Sequence, residues 1–363
     1  MYNSPIFKIK IFSILRVFAV FLALSAFSAP AFSQHDAPGH GQEAHETGAG
    51  EEKKFEPSEV ILEHIADSHS WHLWGHTHIP LPVILYTDKG IETFSSSHLD
   101  HGHYAGKYYT YALEHNKIKV VNAEGQIDEA ATKNVWDFSI TRNVASMWLS
   151  IILLMVIFIS VSSAYKKREG KAPKGLQSFL EPVILFVRDD IAKPNIGHKY
   201  ARFMPLLLTM FFFIWINNLI GLVPFFPGGA NLTGNIAVTL VMAAITLIVV
   251  NVNGNKYYWK HILLPDVPKW IYPIMWPVEI VGIFSKPFAL MIRLFANITA
   301  GHIIVLSLIS LIFVFKSFAI APVSVAFVVF MDVLELLVAV LQAFIFTLLT
   351  ALFIGNAIEE HHH

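Results

Sequence analysis

After Trp136 the sequence carries five apolar runs, each of about twenty residues or more, and three of them hold no charged side chain. A bilayer core about 30 Å thick is crossed by about twenty helical residues at 1.5 Å each. Val144–Ala164, Pro205–Phe225, Leu232–Val252, Pro287–Phe315 and Val323–Ile358 all reach that length. Inside a bilayer the backbone must satisfy its own hydrogen bonds, so runs of this kind become helices. The expected fold class is an all-α membrane protein with about five transmembrane helices. At 54% hydrophobic and 15% charged, the chain of 363 residues is too apolar for an ordinary soluble protein.

The remainder is organised differently. Residues 1–33 read as a signal peptide: Lys8 and Lys10, the apolar stretch Ile11–Phe27, then Ala31-Phe32-Ser33 as a small-x-small cleavage site. A retained anchor is the alternative, and either places Gln34 outside the cytoplasmic membrane. Residues 34–137 hold twelve of the eighteen histidines. Within them Gln34–Lys54 lacks periodicity and reads as a tail, whereas Pro80–Tyr86 and Ile91–Phe94 flank the turn residues Asp88-Lys-Gly90. Lys117–Val121, Asn122-Ala-Glu-Gly125 and Gln126–Ile127 repeat that pattern. A small β-containing N-terminal periplasmic extension is expected, followed by a transmembrane domain over 138–363. A net charge of −1 argues against nucleic acid as a partner, and the lack of cysteine excludes disulfides and thiolate metal sites.

The loops set an orientation. Lys166–Phe203 carries nine Lys/Arg against four acids, and Asn253–Lys269 three Lys against one Asp. The alternate loops are nearly neutral, so the positive-inside rule puts the N-terminus outside and the C-terminus in the cytoplasm. Leu176–Ile191 has an apolar face but holds Glu181, Arg188, Asp189 and Asp190, and reads as one amphipathic cytoplasmic-surface helix.

The last two runs contain the polar residues that carry chemistry. An arginine at the centre of a spanning helix costs roughly 2.5–3.5 kcal/mol on insertion scales, so Arg293 needs a partner or a function. Asn297 and His302 lie on the same run; Asp332, Glu335 and Gln342 lie on the next. Singly, such an Asn or Gln is commonly an interhelical hydrogen bond, and a lone His a packing residue. Together they form a pattern. If the two helices are antiparallel about a turn near Phe318–Pro322, Arg293 falls level with Gln342, and His302 nearly level with Glu335. Arg293 and Asn297 share a face, while His302 is half a turn away. Buried acid and imidazole side chains are the material of proton relays, and imidazole exchanges protons near neutral pH. Glu279 and Lys286 are either an interfacial ion pair or the mouth of a cytoplasmic path. Asn217, Asn218, Asn231 and Asn235 either line an outer path or tie helices together.

Ser285-Lys-Pro287, Arg293-Leu-Phe-Ala-Asn297, Ala300-Gly301 and Leu341-Gln-Ala-Phe-Ile-Phe346, supported by Asn218-Leu-Ile-Gly-Leu-Val-Pro224 and the ending Glu359-Glu360-His361, make the chain similar to the subunit a family of F-type ATP synthases from Val144 onward. The resemblance implies that Arg293 faces a ring of c subunits and meets its membrane carboxylate, with Asn297 and Gln342 as polar neighbours. It implies an outer half-channel past Asn218, His302, Glu335 and Asp332, and an inner one at Glu279. His302 stands where the family usually has an acid and Glu335 where bacterial members usually have a histidine, a swap similar to the mitochondrial type. Gly221 departs from relatives that carry Asp there. The implied partners are the c-subunit ring, the subunit b peripheral stalk, the remaining synthase subunits and membrane lipid. No cofactor is implied, and the chain is expected to be no enzyme on its own.

Two rivals remain open on sequence. A proton-coupled transporter would show inverted repeats, and none is visible. A periplasmic metal binder would use His69-x-x-His72, His76-x-His78 and His101-x-His103, spacings that suit Zn²⁺ but have no fixed acidic companion.

Overall fold

A computed structural model describes residues 66–359, apart from the short stretches 75–76, 100–101, 115, 123, 169–170, 224–227, 231, 265–267 and 316–319. The signal-like segment 1–33, the tail Gln34–Lys54 and the final histidines lie outside the described residues. The extension is built from strands β1 (Ser70–Trp74), β2 (Thr77–Pro80), β3 (Pro82–Thr87), β4 (Gly90–Ser95), β5 (His103–Ala105), β6 (Thr110–Glu114) and β7 (Lys117–Val121). A short helix α1 (Glu129–Thr132) and strand β8 (Trp136–Asp137) complete it. β1 and β2 pair alone; the others form two three-stranded sheets, ordered β4-β3-β8 and β5-β6-β7.

The β3–β4 hairpin forms as its turn chemistry predicts. Thr87 pairs with Gly90 across Asp88-Lys89, and Gly90 takes φ +135°, a value L side chains rarely adopt. The second hairpin differs from expectation. β7 pairs antiparallel with β6, and Val121 makes only an isolated bridge to Ile127. The sequence after Asn122 is too short and polar to bury a strand, whereas Thr110–Glu114 supplies Tyr111 to the core. That core comprises Val83, Leu85, Leu99, Tyr111, Ile118 and Val120.

The extension is stitched to the first long helix, α2 (Arg142–Lys167). Arg142 N donates to Ser68 O at 2.8 Å, and its guanidinium donates to Ala66 O at 2.8 Å. Asp67 Oδ1 accepts from Asn143 N at 3.1 Å, serving an otherwise unpaired first-turn amide of α2. His69 and Asp137 meet at 2.9 Å.

The helices continue with α3 (Leu176–Phe186), which runs through a π-helical stretch Val187–Ala192 into α4 (Lys193–Ile196) and then α5 (Tyr200–Leu222). Leu180, Val187, Ile191 and Ala192 join the main core, so the amphipathic segment packs one side on protein while Leu176, Phe179 and Phe186 stay exposed. α6 (Ile236–Asn253), α7 (Lys256–Leu263), α8 (Tyr272–Phe315) and α9 (Ala321–Ile358) follow. Counting Leu176–Leu222 once, five helical runs are long and apolar enough to cross a membrane. α9 is the hub, packing on α5, α8, α6 and α4.

α8 begins fifteen residues before the Pro287 expected as its start. Pro277 and Pro287 both sit inside it; spanning helices tolerate proline where neighbours relieve the lost hydrogen bond. Its 44 residues extend about 66 Å, roughly twice the hydrocarbon thickness. A helix of that length lies steeply inclined or projects well beyond the bilayer. Only 11% of its most apolar window is buried, against a largely buried α5.

Candidate functional site

α8 and α9 pack closely and antiparallel, which sets the depth of their polar residues. A methyl group on Gly301 would lie 2.0 Å from Glu335 Oε1, so the carboxylate rests on the glycine backbone. Further along, the Ser324 hydroxyl donates to Leu308 O. Carrying the Glu335–Gly301 register seven residues along α9 brings Gln342 level with residue 294. Gln342 and Leu294 are buried, while Arg293, one position away, is exposed. Arg293 and Gln342 therefore share a depth but not a face. Asn297, one turn on, is exposed with Arg293.

Half a turn round, His302 is half-buried on the opposite side of α8. A methyl on Gly221 of α5 would sit 3.9 Å from His302 Nε2, so the departure from Asp at Gly221 lies beside this imidazole. Glu335 Oε1 is buried and has no hydrogen-bond partner among the described residues. Asp332, three residues before it, is exposed. Thr299 Oγ1 donates to Gly234 O at 3.4 Å, closing the cluster towards α6.

Asn218 is buried near the C-terminal end of α5. Its Nδ2 donates to Ala339 O at 3.3 Å, and its Oδ1 accepts from Thr233 Oγ1 at 2.6 Å. It ties α5 to α9 and to the turn before α6. Asn217 Nδ2 donates back to Phe213 O at 2.7 Å. Asn235 is a helix cap, accepting from Ala237 N at 2.9 Å, and Asn231 lies outside the described residues.

A second polar cluster sits at the other end of α8. Glu279 lies 3.9 Å from His261 Nδ1 of α7. Nearby, Tyr258 OH donates to Asn251 Oδ1 at 3.2 Å, and burial, with the Glu279 carboxylate close by, raises the Tyr258 phenol above its ordinary pKa. A small cleft there is lined by Asn251, Tyr258, Lys286, Phe353 and Asn356 among others. The Lys286 ammonium lies 5.9 Å from the Phe353 ring centroid rather than against Glu279. Glu279 is fourteen residues from Arg293, about 21 Å along α8; His302 is nine residues away on the other side, about 13.5 Å.

Sequence reasoning missed Thr233, Tyr258 and Asn251. Hydroxyl and amide residues are common in apolar helices, and nothing in their spacing marks these. It also missed Trp71, whose indole Nε1 donates to Gly228 O at 3.1 Å, fastening the extension to the turn between α5 and α6.

Of the histidines in the metal reading, His72 and His78 stand opposite each other in the β1–β2 pairing. His69 is committed to Asp137, His101 and the side chains of His72 and His76 lie outside the described residues, and no group of three metal-ligating side chains occurs among the described residues.

A profile of the ATP synthase A chain family matches residues 144–355, more than half of the chain and all the polar residues above from Asn217 to Gln342. The chain belongs to that family. A second profile, a domain of unknown function (DUF8433), matches residues 60–138. ATP synthase subunit a of Chloroherpeton thalassium is 50% identical over 233 residues, 63% of this chain and 69% of that one. ATP synthase subunit a of Chlorobium phaeobacteroides strain BS1 is 48% identical over 236 residues, 63% and 68%. The subunit of Anaeromyxobacter sp. is 37% identical over 321 residues, 84% and 71%, a span long enough to reach into the extension. Family membership and five candidate spans make this a multi-pass membrane protein.

Proposed function

We propose that this chain is the proton-translocating stator subunit of a rotary F-type ATP synthase, conducting protons through two offset half-channels to and from a c-ring carboxylate. One observation carries the reading: Arg293 stands exposed on α8, a helix with little of its apolar surface covered, between two polar clusters about 35 Å apart. A cation exposed on a lipid-depth helix needs an anionic partner. A ring of subunits bearing one membrane carboxylate each supplies it.

In this mechanism protons from outside reach His302 and Glu335, with Asn218 holding the helices that frame the path and Asp332 at its edge. A ring carboxylate takes up the proton, becomes neutral and travels through lipid. On returning to Arg293 it releases a proton towards Glu279 and the cytoplasm. A guanidinium attracts an ionised carboxylate through a fixed fork of N–H donors and offers it no acceptor for its proton. Asn297 and Gln342 add polar surroundings at the same depth. The chain works without a cofactor and performs no catalysis itself. It assembles with the c ring, the subunit b stalk and the remaining synthase subunits in a bacterial inner membrane, with the extension periplasmic and the C-terminus cytoplasmic.

The test is Arg293→Lys in the assembled complex in vesicles. A lysine can titrate when desolvated and admit a leak, so proton-driven ATP synthesis is expected to vanish. Retained synthesis in that variant overturns the reading, as does purification of the native complex without a carboxylate-bearing ring.

A further inference from the structure

The extension presents an apolar sheet face that none of the described residues covers. In β3 the side chains alternate: Val83, Leu85 and Thr87 point into the core, and Tyr86 points away. The register aligns Ile91, Tyr86 and Trp136 in one row across β4, β3 and β8. Phe138, two residues beyond Trp136, falls on the same side. These four are 65%, 53%, 54% and 46% exposed. Their outward neighbours are Ile84 and Thr93, paired with each other, so the face carries no charge. A water-facing side of an antiparallel sheet is ordinarily polar.

We infer that this face lies on the membrane, with Tyr86, Ile91, Trp136 and Phe138 seated among the lipid headgroups and upper acyl chains of the leaflet from which α2 starts. Three observations favour lipid over another protein. The linker from β8 to α2 is the four residues 138–141, a reach of at most about 14 Å, and Arg142 N is bonded to Ser68 O within the extension. At a second point, Trp71 is bonded to Gly228 in the turn joining two spanning helices. The extension is thus held at the level of the helix ends on both sides. Finally, α2 itself leaves Trp148, Ile152 and Val156 exposed at one-turn spacing, an apolar stripe of the kind a spanning helix turns to lipid. Trp and Tyr, with apolar rings and a polar tip, are the side chains enriched where lipid meets water.

The absence of native cysteine allows single-site labelling of the full chain. Thr93→Cys leaves all four apolar side chains in place; Ile91→Cys sits within the row; Glu124→Cys marks an exposed turn elsewhere in the extension. Each, carrying an environment-sensitive fluorophore, is reconstituted in phosphatidylcholine vesicles containing headgroup-region nitroxide lipid, and iodide is titrated separately. Nitroxide quenching is expected to be several-fold stronger at positions 93 and 91 than at 124, with the iodide order reversed. Adding Trp136→Ser and Phe138→Ser to Thr93→Cys should remove its nitroxide quenching. Equal iodide access at all three positions overturns the inference, because the face then stands in water awaiting a protein. Shielding from both quenchers overturns it too, because a second copy of the chain then covers it. Neither outcome touches the proton-path reading, which this experiment does not probe.

Discussion

Glu335 rests directly on the backbone of Gly301, so that a single added methyl would come within 2.0 Å of its Oε1. The pair fixes the register of α8 against α9 and seats the carboxylate one residue from His302. Gly301→Ala is therefore expected to push Glu335 aside. The displaced group is the end of a flexible side chain, so the fold should survive. ATP-driven proton pumping in vesicles should fall several-fold while the amount of assembled complex stays normal. Unchanged pumping would remove the link between this contact and transport.

Gly355 makes the opposite kind of contact. A methyl there would lie 1.9 Å from Asn195 O, a backbone atom in the segment packed against the end of α9. No side-chain rotation relieves that clash. Gly355→Ala is expected to cost about 1–3 kcal/mol or more, as overpacking does, and to lower both the membrane-inserted amount and the thermal midpoint. A midpoint equal to the parent's would mean that α4 can shift freely.

The Trp71 indole bonded to Gly228 O predicts that the extension steadies the α5–α6 turn. Trp71→Phe keeps the ring but removes the donor, a loss of about 0.5–1.5 kcal/mol. Hydrogen exchange at residues 228–235 should speed up by roughly two- to twelvefold, since 1.4 kcal/mol is tenfold. Exchange at the parent's rate would show that the turn is held from elsewhere.

Two half-buried acids at the extension's foot respond to pH in opposite senses. Burial alone would raise Asp137, but the bond with His69 and those from Ser139 outweigh it and hold the carboxyl below its usual range. A carboxyl depressed by folding contributes stability above its unfolded pKa, about 3.9, which is lost as pH falls through the lower folded value. Asp67 is raised, first by burial, so its contribution is present below about pH 3.9 and lost as pH rises through its folded value. Asp137→Asn should flatten the acid limb of the unfolding profile of the full chain below about pH 4. If near-UV melting curves keep the same acid limb, the His69–Asp137 pair is not its source.

Much of the architecture was legible from spacing. The five apolar runs became five candidate spans, Asp88-Lys-Gly90 became a hairpin turn, and the half-turn between Arg293 and His302 placed one outward and the other towards α5. Boundaries were less legible. Pro287 reads as a helix start in isolation, yet α8 passes through it because a packed neighbourhood tolerates the missing hydrogen bond. β6 escaped notice because Thr110–Glu114 has too little alternation to stand out, and only its pairing with β7 makes it a strand. Asn218 could be read as lining or as tie; the bonds to Ala339 and Thr233 are formed by residues 121 and 15 positions away.

Residue order alone determined that this chain spans a membrane and that a guanidinium, an imidazole, two acids and the amides Asn297 and Gln342 share its last two apolar runs. Those conclusions need only hydrophobic length and helical periodicity, which are local properties. Whether Arg293 would be covered or left bare, which glycine would carry Glu335, and where the β extension would be fastened were decided by contacts between distant segments. Such contacts depend on side-chain volume at close approach, and no period in the sequence encodes that.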